Sequence, residues 1–132
     1  MIDNIKKTDG NTEDLRLTYD AALLQVKKTT TQALLKSPLI IREYTKHLAA
    51  TQGKYIRAVS VLICSRDKDG LIHPNAVKMA AATELLHLAT LVHDDVIDNA
   101  DIRRGDITLQ KKYGKRTAVI CGDYLLSRAL SM

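Results

Sequence analysis

Asp94, Asp95 and Asp98 fall within five consecutive positions, and Arg103 and Arg104 follow them in the stretch LVHDDVIDNADIRRG. Same-sign side chains four apart on a helix repel by roughly 0.2–0.5 kcal/mol per pair, so the cluster costs stability unless a positive charge sits between the carboxylates. A divalent cation meets that need. Hard oxygen donors of this kind suit Mg²⁺, which keeps several waters and shares its coordination with substrate phosphates. Two or three carboxylates on one helix cannot surround an ion, so a diphosphate is the expected source of the remaining ligands. Arg103 and Arg104 would then grip phosphate oxygens in bidentate fashion from the side opposite the metal.

The carrier of this cluster is the longest helical pattern in the chain, AVKMAAATELLHLATLVHDDVID, running from about Asn75 to Asn99, rich in Ala and Leu and free of Gly and Pro. Carboxylates at a helix C-terminus oppose the partial negative charge there, so helix stability did not choose them. At about 100° per residue, one face reads Thr83, His87, Thr90, Asp94 and Asp98, with Asp95 flanking it. A polar stripe on a helix so apolar elsewhere predicts a cavity or solvated groove with the carboxylates at its mouth.

Other elements must frame that groove. EDLRLTYDAALLQVKKTTTQALLKS places Leu15, Tyr19, Ala22, Leu23, Val26 and Leu34 at spacings near three and four, predicting an amphipathic first helix. Ser37-Pro38 interrupts it, and PLIIREYTKHLAATQ resumes a helical pattern up to Gly53 as a C-terminal cap. KYIRAVSVLICSR reads as a third helix, although its valines and isoleucines also suit a buried strand. Asp69-Gly70 marks a turn, and His73-Pro74-Asn75 leads into the long helix. After the aspartates, ADIRRGDI reads as a short connection, TLQKKY as a small helix ended by Gly114, and RTAVICGDYLLSRALSM as a last helix. Val119, Ile120, Tyr124, Leu125, Leu126 and Leu130 give that helix an apolar surface, for which a partner chain or the remainder of a larger protein is the expected cover. The organisation expected is a flexible tail over residues 1–12 and one all-α domain over 13–132.

Composition sets bounds on function. With neither Phe nor Trp and only five Tyr in 132 residues, the core must be built from Leu, Ile, Val and Ala, which favours helices. A formal charge of +5 attracts anions without choosing among nucleic acid, a phosphorylated metabolite and an acidic membrane surface. The basic residues are dispersed, with no aromatic platform interleaved, which argues against nucleic acid. Cys64 and Cys121 lack metal spacing and read as two buried thiols in a reducing compartment. No apolar run is long enough to span a bilayer and MIDNIKKTDGN lacks a signal-peptide core, so the expected location is cytoplasmic.

Taken singly, each motif has a plainer explanation. A DDxxD string is common on solvated helices, RRG is common in surface loops, and a lone His87 on an apolar helix is more often a satisfied core histidine than a ligand. An EF-hand loop counted from Asp98 or Asp67 would need an oxygen donor where Ile102 or Leu71 stands. Zinc is disfavoured because His87 and His93 lie roughly 120° apart and no cysteine pair supports them. Dinucleotide and Walker A glycine loops are absent from the sequence.

Together and in order, the motifs point further. ELLHLATLVHDDVIDNADIRRGDIT, followed by GKRTAVICGDYLLSRA, resembles the trans-isoprenyl diphosphate synthases (polyprenyl synthetases) at their first aspartate-rich motif and the RRG after it. Upstream, Gly53, Lys54 and Arg57 are similar to that family's GKxxR. The resemblance covers roughly residues 38–132 and implies the N-terminal half of the isoprenoid-synthase helical bundle. It implies an Mg²⁺-dependent prenyltransferase condensing isopentenyl diphosphate with an allylic diphosphate. Asp94 and Asp98, supported by Asp95, would hold Mg²⁺ on the allylic diphosphate, which Arg103 also contacts. Lys54, Arg57, His87 and Arg104 would hold isopentenyl diphosphate.

Departures from the family pattern are Ala58 and Ile107, where prolines are usual; both read as changes in backbone stiffness. A second aspartate-rich motif is missing from these 132 residues, so the expectation is that this polypeptide does not catalyse condensation alone. Three readings follow: part of a longer synthase, a subunit completed by a partner, or a non-catalytic acidic-helix interaction module. Homo-oligomerisation through helical faces is expected, as is peripheral membrane contact through a lipid product. Ala89 and Thr90, at the fifth and fourth positions before DDxxD, are small where short-chain members commonly carry aromatics, which implies medium or long polyprenyl products.

Overall fold

The computed structural model describes residues 14–51 and 53–132, so the expected tail over 1–12 lies outside the described residues. Six helices, α1 (Tyr19–Leu35), α2 (Arg42–Ala50), α3 (Ile56–Cys64), α4 (Pro74–Ile97), α5 (Leu109–Tyr113) and α6 (Lys115–Leu130), account for most of them, with a 3₁₀ turn at Leu39–Ile41 and a two-stranded hairpin, β1 (Ile102–Arg103) and β2 (Asp106–Ile107). The all-α expectation holds, and the third helix is a helix rather than a strand.

Local chemistry sets the boundaries. Helix α1 starts later than its apolar periodicity suggests, because Leu17 is extended and exchanges backbone hydrogen bonds of 2.8 and 2.7 Å with Ile72. Thr18 then caps the helix, its side chain accepting from the Ala21 N–H, and Leu15 is left exposed. At the α1–α2 corner the buried Ser37 and Thr45 hydroxyls share a 2.6 Å hydrogen bond. Helix α2 stops at Ala50 with Thr51 at its cap, so Gly53 lies beyond it and does not serve as the expected cap. The Asp67 side chain accepts from the Asp69 and Leu71 N–H groups and shapes the turn at Gly70, whose φ is +75°. His73 caps α4 through Nδ1, with Pro74 in the first turn as its fixed φ favours.

Helix α4 is the spine, packed against α6, α1 and α3. Its buried side chains serve two apolar clusters. Val77, Ala80 and Ala81 join Ala22, Val26, Ala58, Leu62 and Ile72 at one end, while Leu85, Ala89 and Val92 join Leu34, Leu48, Leu109, Ala118, Cys121 and Leu125 at the other. Aliphatic side chains and alanines fill both, as the composition demands. Small residues let α6 approach α4 closely: a Cβ on the buried Gly122 would overlap the His93 ring, whose Nε2 lies 3.2 Å from both the Val119 carbonyl and the Asp123 carboxylate. Of the two cysteines, Cys121 is buried, and burial raises its pKa to about 11; Cys64 at the end of α3 is exposed, contrary to expectation. Val119, Ile120 and Leu130 are exposed on α6, but Leu125 belongs to the core.

Candidate functional site

The connection after the aspartates is a built element, not a bare loop. Arg103 pairs with Asp106 and Ile102 with Ile107, leaving Arg104-Gly105 as a two-residue turn. Both turn residues have positive φ, 51° and 82°, the arrangement whose twist matches a tight hairpin. Glycine after the arginines is therefore a backbone requirement. On one side the Thr108 hydroxyl donates to the Ala100 carbonyl at 2.7 Å, joined there by the Gln110 amide. On the other, His47 Nε2 of α2 lies 2.9 Å from the Ile107 carbonyl.

This hairpin faces the start of α3 across a cleft of about 410 Å³. Gly53, Lys54, Arg57, His87, Asp95, Arg103 and Arg104 all line it, bringing most of the expected site residues together from three separate segments. Among the described residues, no carboxylate forms an ion pair with Lys54, Arg57 or Arg104. Unneutralised cations around one concavity give it a positive potential that attracts anions. His87 shares their field. Burial first, then Arg57, holds its imidazole below its usual pKa against the opposing pull of Glu84, with Arg104 and Arg103 adding to the lowering. At neutral pH the ring is an uncharged hydrogen-bonding group.

The three aspartates divide. Asp95 is buried and points at the hairpin, where it accepts three hydrogen bonds from Arg103: two from Nε at 3.0 Å and one from Nη2 at 2.7 Å. That pairing, above all other influences, pushes the Arg103 guanidinium pKa up. Asp94 and Asp98 lie on the exposed side of α4, and neither lines the cleft. Asp98 is the helix cap, its N–H bonded to the Asp94 carbonyl at 2.8 Å. The cleft face of α4 thus centres on Glu84, His87, Leu88, Leu91 and Asp95, with Leu85 and Val92 beside them, and is rotated from the expected Thr83-to-Asp98 stripe. Among the described residues no three Asp, Glu, His or Cys side chains converge as a metal cage. Asp94 and Asp98 nevertheless fit a cation that brings most of its own oxygen ligands, being exposed carboxylates one turn apart with no ion-pair partner among the described residues. Asp95 is already bonded to Arg103.

Ala89 and Thr90 are also placed differently from a shared tunnel wall. Ala89 is buried in the apolar cluster that includes α6, and Thr90 is exposed, its hydroxyl donating to the His87 carbonyl at 2.6 Å.

Glu84 is the residue that sequence reasoning passed over. Its Oε1 accepts the Ala58 N–H in the first turn of α3 at 2.9 Å and so ties that turn to α4. The departure from proline at 58 therefore supplies a donor that proline lacks, and is more than a change in stiffness. Glu84 stands one turn before His87, and that i, i+3 spacing was the available signal. Tyr55 supports the same segment: at φ 58° it turns the chain into α3, and its hydroxyl shares a 3.2 Å hydrogen bond with Thr30 of α1.

The polyprenyl synthetase family profile matches residues 38–132, and the chain belongs to that family. Heptaprenyl diphosphate synthase component 2 of Geobacillus stearothermophilus is 46% identical over 92 residues, covering 67% of this chain and 27% of that protein. The crystal structure of heptaprenyl diphosphate synthase from Staphylococcus aureus superposes with a TM-score of 0.78 at 34% identity, covering 87% of this chain and 36% of that one. A polyprenyl synthase from Caulobacter crescentus, solved with calcium and isoprenyl diphosphate, gives 0.71 at 31% identity, covering 85% and 34%. The chain spans between 21% and 36% of the length of such curated relatives. Among the described residues no helix is long and apolar enough to cross a membrane.

Proposed function

We propose that this chain forms the diphosphate-binding part of a prenyltransferase that joins isopentenyl diphosphate to an allylic diphosphate, giving a medium- or long-chain polyprenyl diphosphate. The observation that carries the reading is the convergence of Lys54, Arg57, Arg103, Arg104 and His87 on one cleft. Lys54 and Arg57 offer charge to the diphosphate of isopentenyl diphosphate from the start of α3, and Arg104 offers it from the hairpin. Arg103, held by Asp95, presents a fixed guanidinium towards the allylic diphosphate. Ionisation of an allylic carbon–oxygen bond leaves negative charge on the departing diphosphate, and preoriented cations stabilise it as it develops. Asp94 and Asp98 would hold Mg²⁺, which supplies further charge neutralisation there when bound. The solved relative carrying calcium and isoprenyl diphosphate supports a metal and diphosphate pairing.

These 132 residues carry the first aspartate-rich motif and not a second, so on their own they bind without turning over. Their partner is either a further polypeptide segment or another subunit, and resemblance to proteins named component 2 of heptaprenyl diphosphate synthase favours the subunit as the alternative. Exposed Val119, Ile120 and Leu130 suit homo-oligomer formation as well. A cytoplasmic protein touching membranes through its lipid product completes the reading. Calorimetry with isopentenyl diphosphate and with inorganic diphosphate should show weak binding that tightens with Mg²⁺. Asp94→Asn with Asp98→Asn should remove the metal dependence and leave the metal-free affinity in place. Identical isotherms with and without Mg²⁺ in the wild-type chain would count against the metal assignment.

A further inference from the structure

The two basic motifs of the cleft meet at one atom-sized gap. A Cβ built on Gly53 would overlap Nη1 of Arg104 and would stand 3.0 Å from its Cζ and 3.3 Å from its Nη2. The guanidinium therefore lies across the bare α-carbon of Gly53. Its origin is fixed, because Arg104 is the left-handed first residue of the hairpin turn and His47 ties β2 to α2. Its charge is unspent, since no carboxylate pairs with it among the described residues. The group that a side chain at 53 would strike is the far end of a flexible arginine, so an added methyl displaces the guanidinium before it displaces any backbone.

We propose that Gly53 is a positioning residue: its missing side chain seats the Arg104 guanidinium on the loop that carries Lys54, so that Lys54, Arg57 and Arg104 address a single diphosphate. The inference rests on the diphosphate reading above and deepens it, since it makes one residue of the first basic motif the seat for another in the second. Gly53 then contributes to binding through Arg104, with no polar group of its own side chain to offer.

The test is a mutant cycle on the 132-residue chain, with inorganic diphosphate as titrant in the absence of Mg²⁺. Gly53→Ala should weaken binding about tenfold, the scale of one misplaced charge-assisted contact. In an Arg104→Lys background the same change should cost less than about twofold, because a slender ammonium stem clears the new methyl. Without ligand, the Nε–H resonance of Arg104, identified by its loss in Arg104→Lys, should shift in Gly53→Ala while the melting temperature holds. Equal losses in both backgrounds, no loss in either, an unmoved Arg104 resonance, or collapse of the fold in Gly53→Ala would each overturn the proposal while leaving diphosphate binding intact in the wild type. A wild-type chain that binds no diphosphate overturns the proposed function and this seat together.

Discussion

Replacing Asp95 by Asn separates two roles that one motif suggests. The Asp95 side chain is 9% exposed and the Arg103 side chain 39% exposed, and they are joined by three hydrogen bonds of 2.7–3.0 Å. Breaking a buried pair by removing one charge costs about 3–5 kcal/mol. Here the freed guanidinium already touches water and recovers part of its solvation, and the Asn carbonyl still accepts one bond, so the expected loss is about 2 kcal/mol. For a chain of this size that lowers the melting temperature by about 5–10 °C. Urea denaturation should show an earlier midpoint with an unchanged slope. If Asp95 acts by aiming Arg103, Asp95→Asn also weakens inorganic diphosphate binding without Mg²⁺, whereas Asp94→Asn and Asp98→Asn weaken it only with Mg²⁺ present. An unchanged urea midpoint, or a binding loss confined to the Mg²⁺ series, refutes the reasoning and returns Asp95 to the metal.

Three further outcomes follow from the geometry. His87 has a folded-state pKa below its unfolded value, so the unfolded chain binds more protons as pH falls through the mid-6s and below, and stability should drop there; His87→Gln should flatten that part of a pH series of melts. A bound diphosphate reverses the field, so calorimetry near pH 6.5 in buffers of different ionisation enthalpy should register proton uptake, and buffer-independent heats would refute it. Gly122→Ala should cost about 1–3 kcal/mol by driving a methyl into the His93 ring, and His93→Ala should relieve most of the loss; additive effects in chemical denaturation would show that the two do not touch. Thr90→Phe, assayed in a chain that also carries the second aspartate-rich motif, should shorten the products. Ala89→Phe should instead destabilise the buried cluster shared with α6, and an unshortened product from Thr90→Phe would remove the chain-length role.

Much of the helical frame was legible because α4 is rich in helix-forming Ala and Leu, Pro74 marks its start, and Gly114 separates α5 from α6. The start of α1 was not, since Leu15 continues the apolar spacing and only a partner distant in sequence, Ile72, draws Leu17 into an extended form. The hairpin was missed for a related reason. Two-residue strands carry no alternation to read, and Arg104 is an unusual choice for a left-handed turn position. The cations of the cleft were found through motif order, because spacing alone does not bring residues 53–57 to residue 104. Angular bookkeeping put Asp94, Asp98 and His87 on one stripe, but the packing of α3 and the hairpin decides which side of α4 is concave, and it chose the side of Glu84 and Asp95.

The division of the core into two apolar clusters along α4 has a dynamic consequence. Ala58 and Leu62 of α3 belong to one cluster, Leu109 beside the hairpin belongs to the other, and the cleft opens where Glu84 and Leu85 mark the border. Helices α1 and α4 both run through the two clusters, so amide exchange is expected to resolve two units that are joined by this pair of helices. On the proposed function, an anion gripped by Lys54 and Arg57 on one side and by Arg104 on the other would act as a tie between those units. Its binding energy would then be read as slowed exchange on both banks of the cleft, in residues that never touch the ligand.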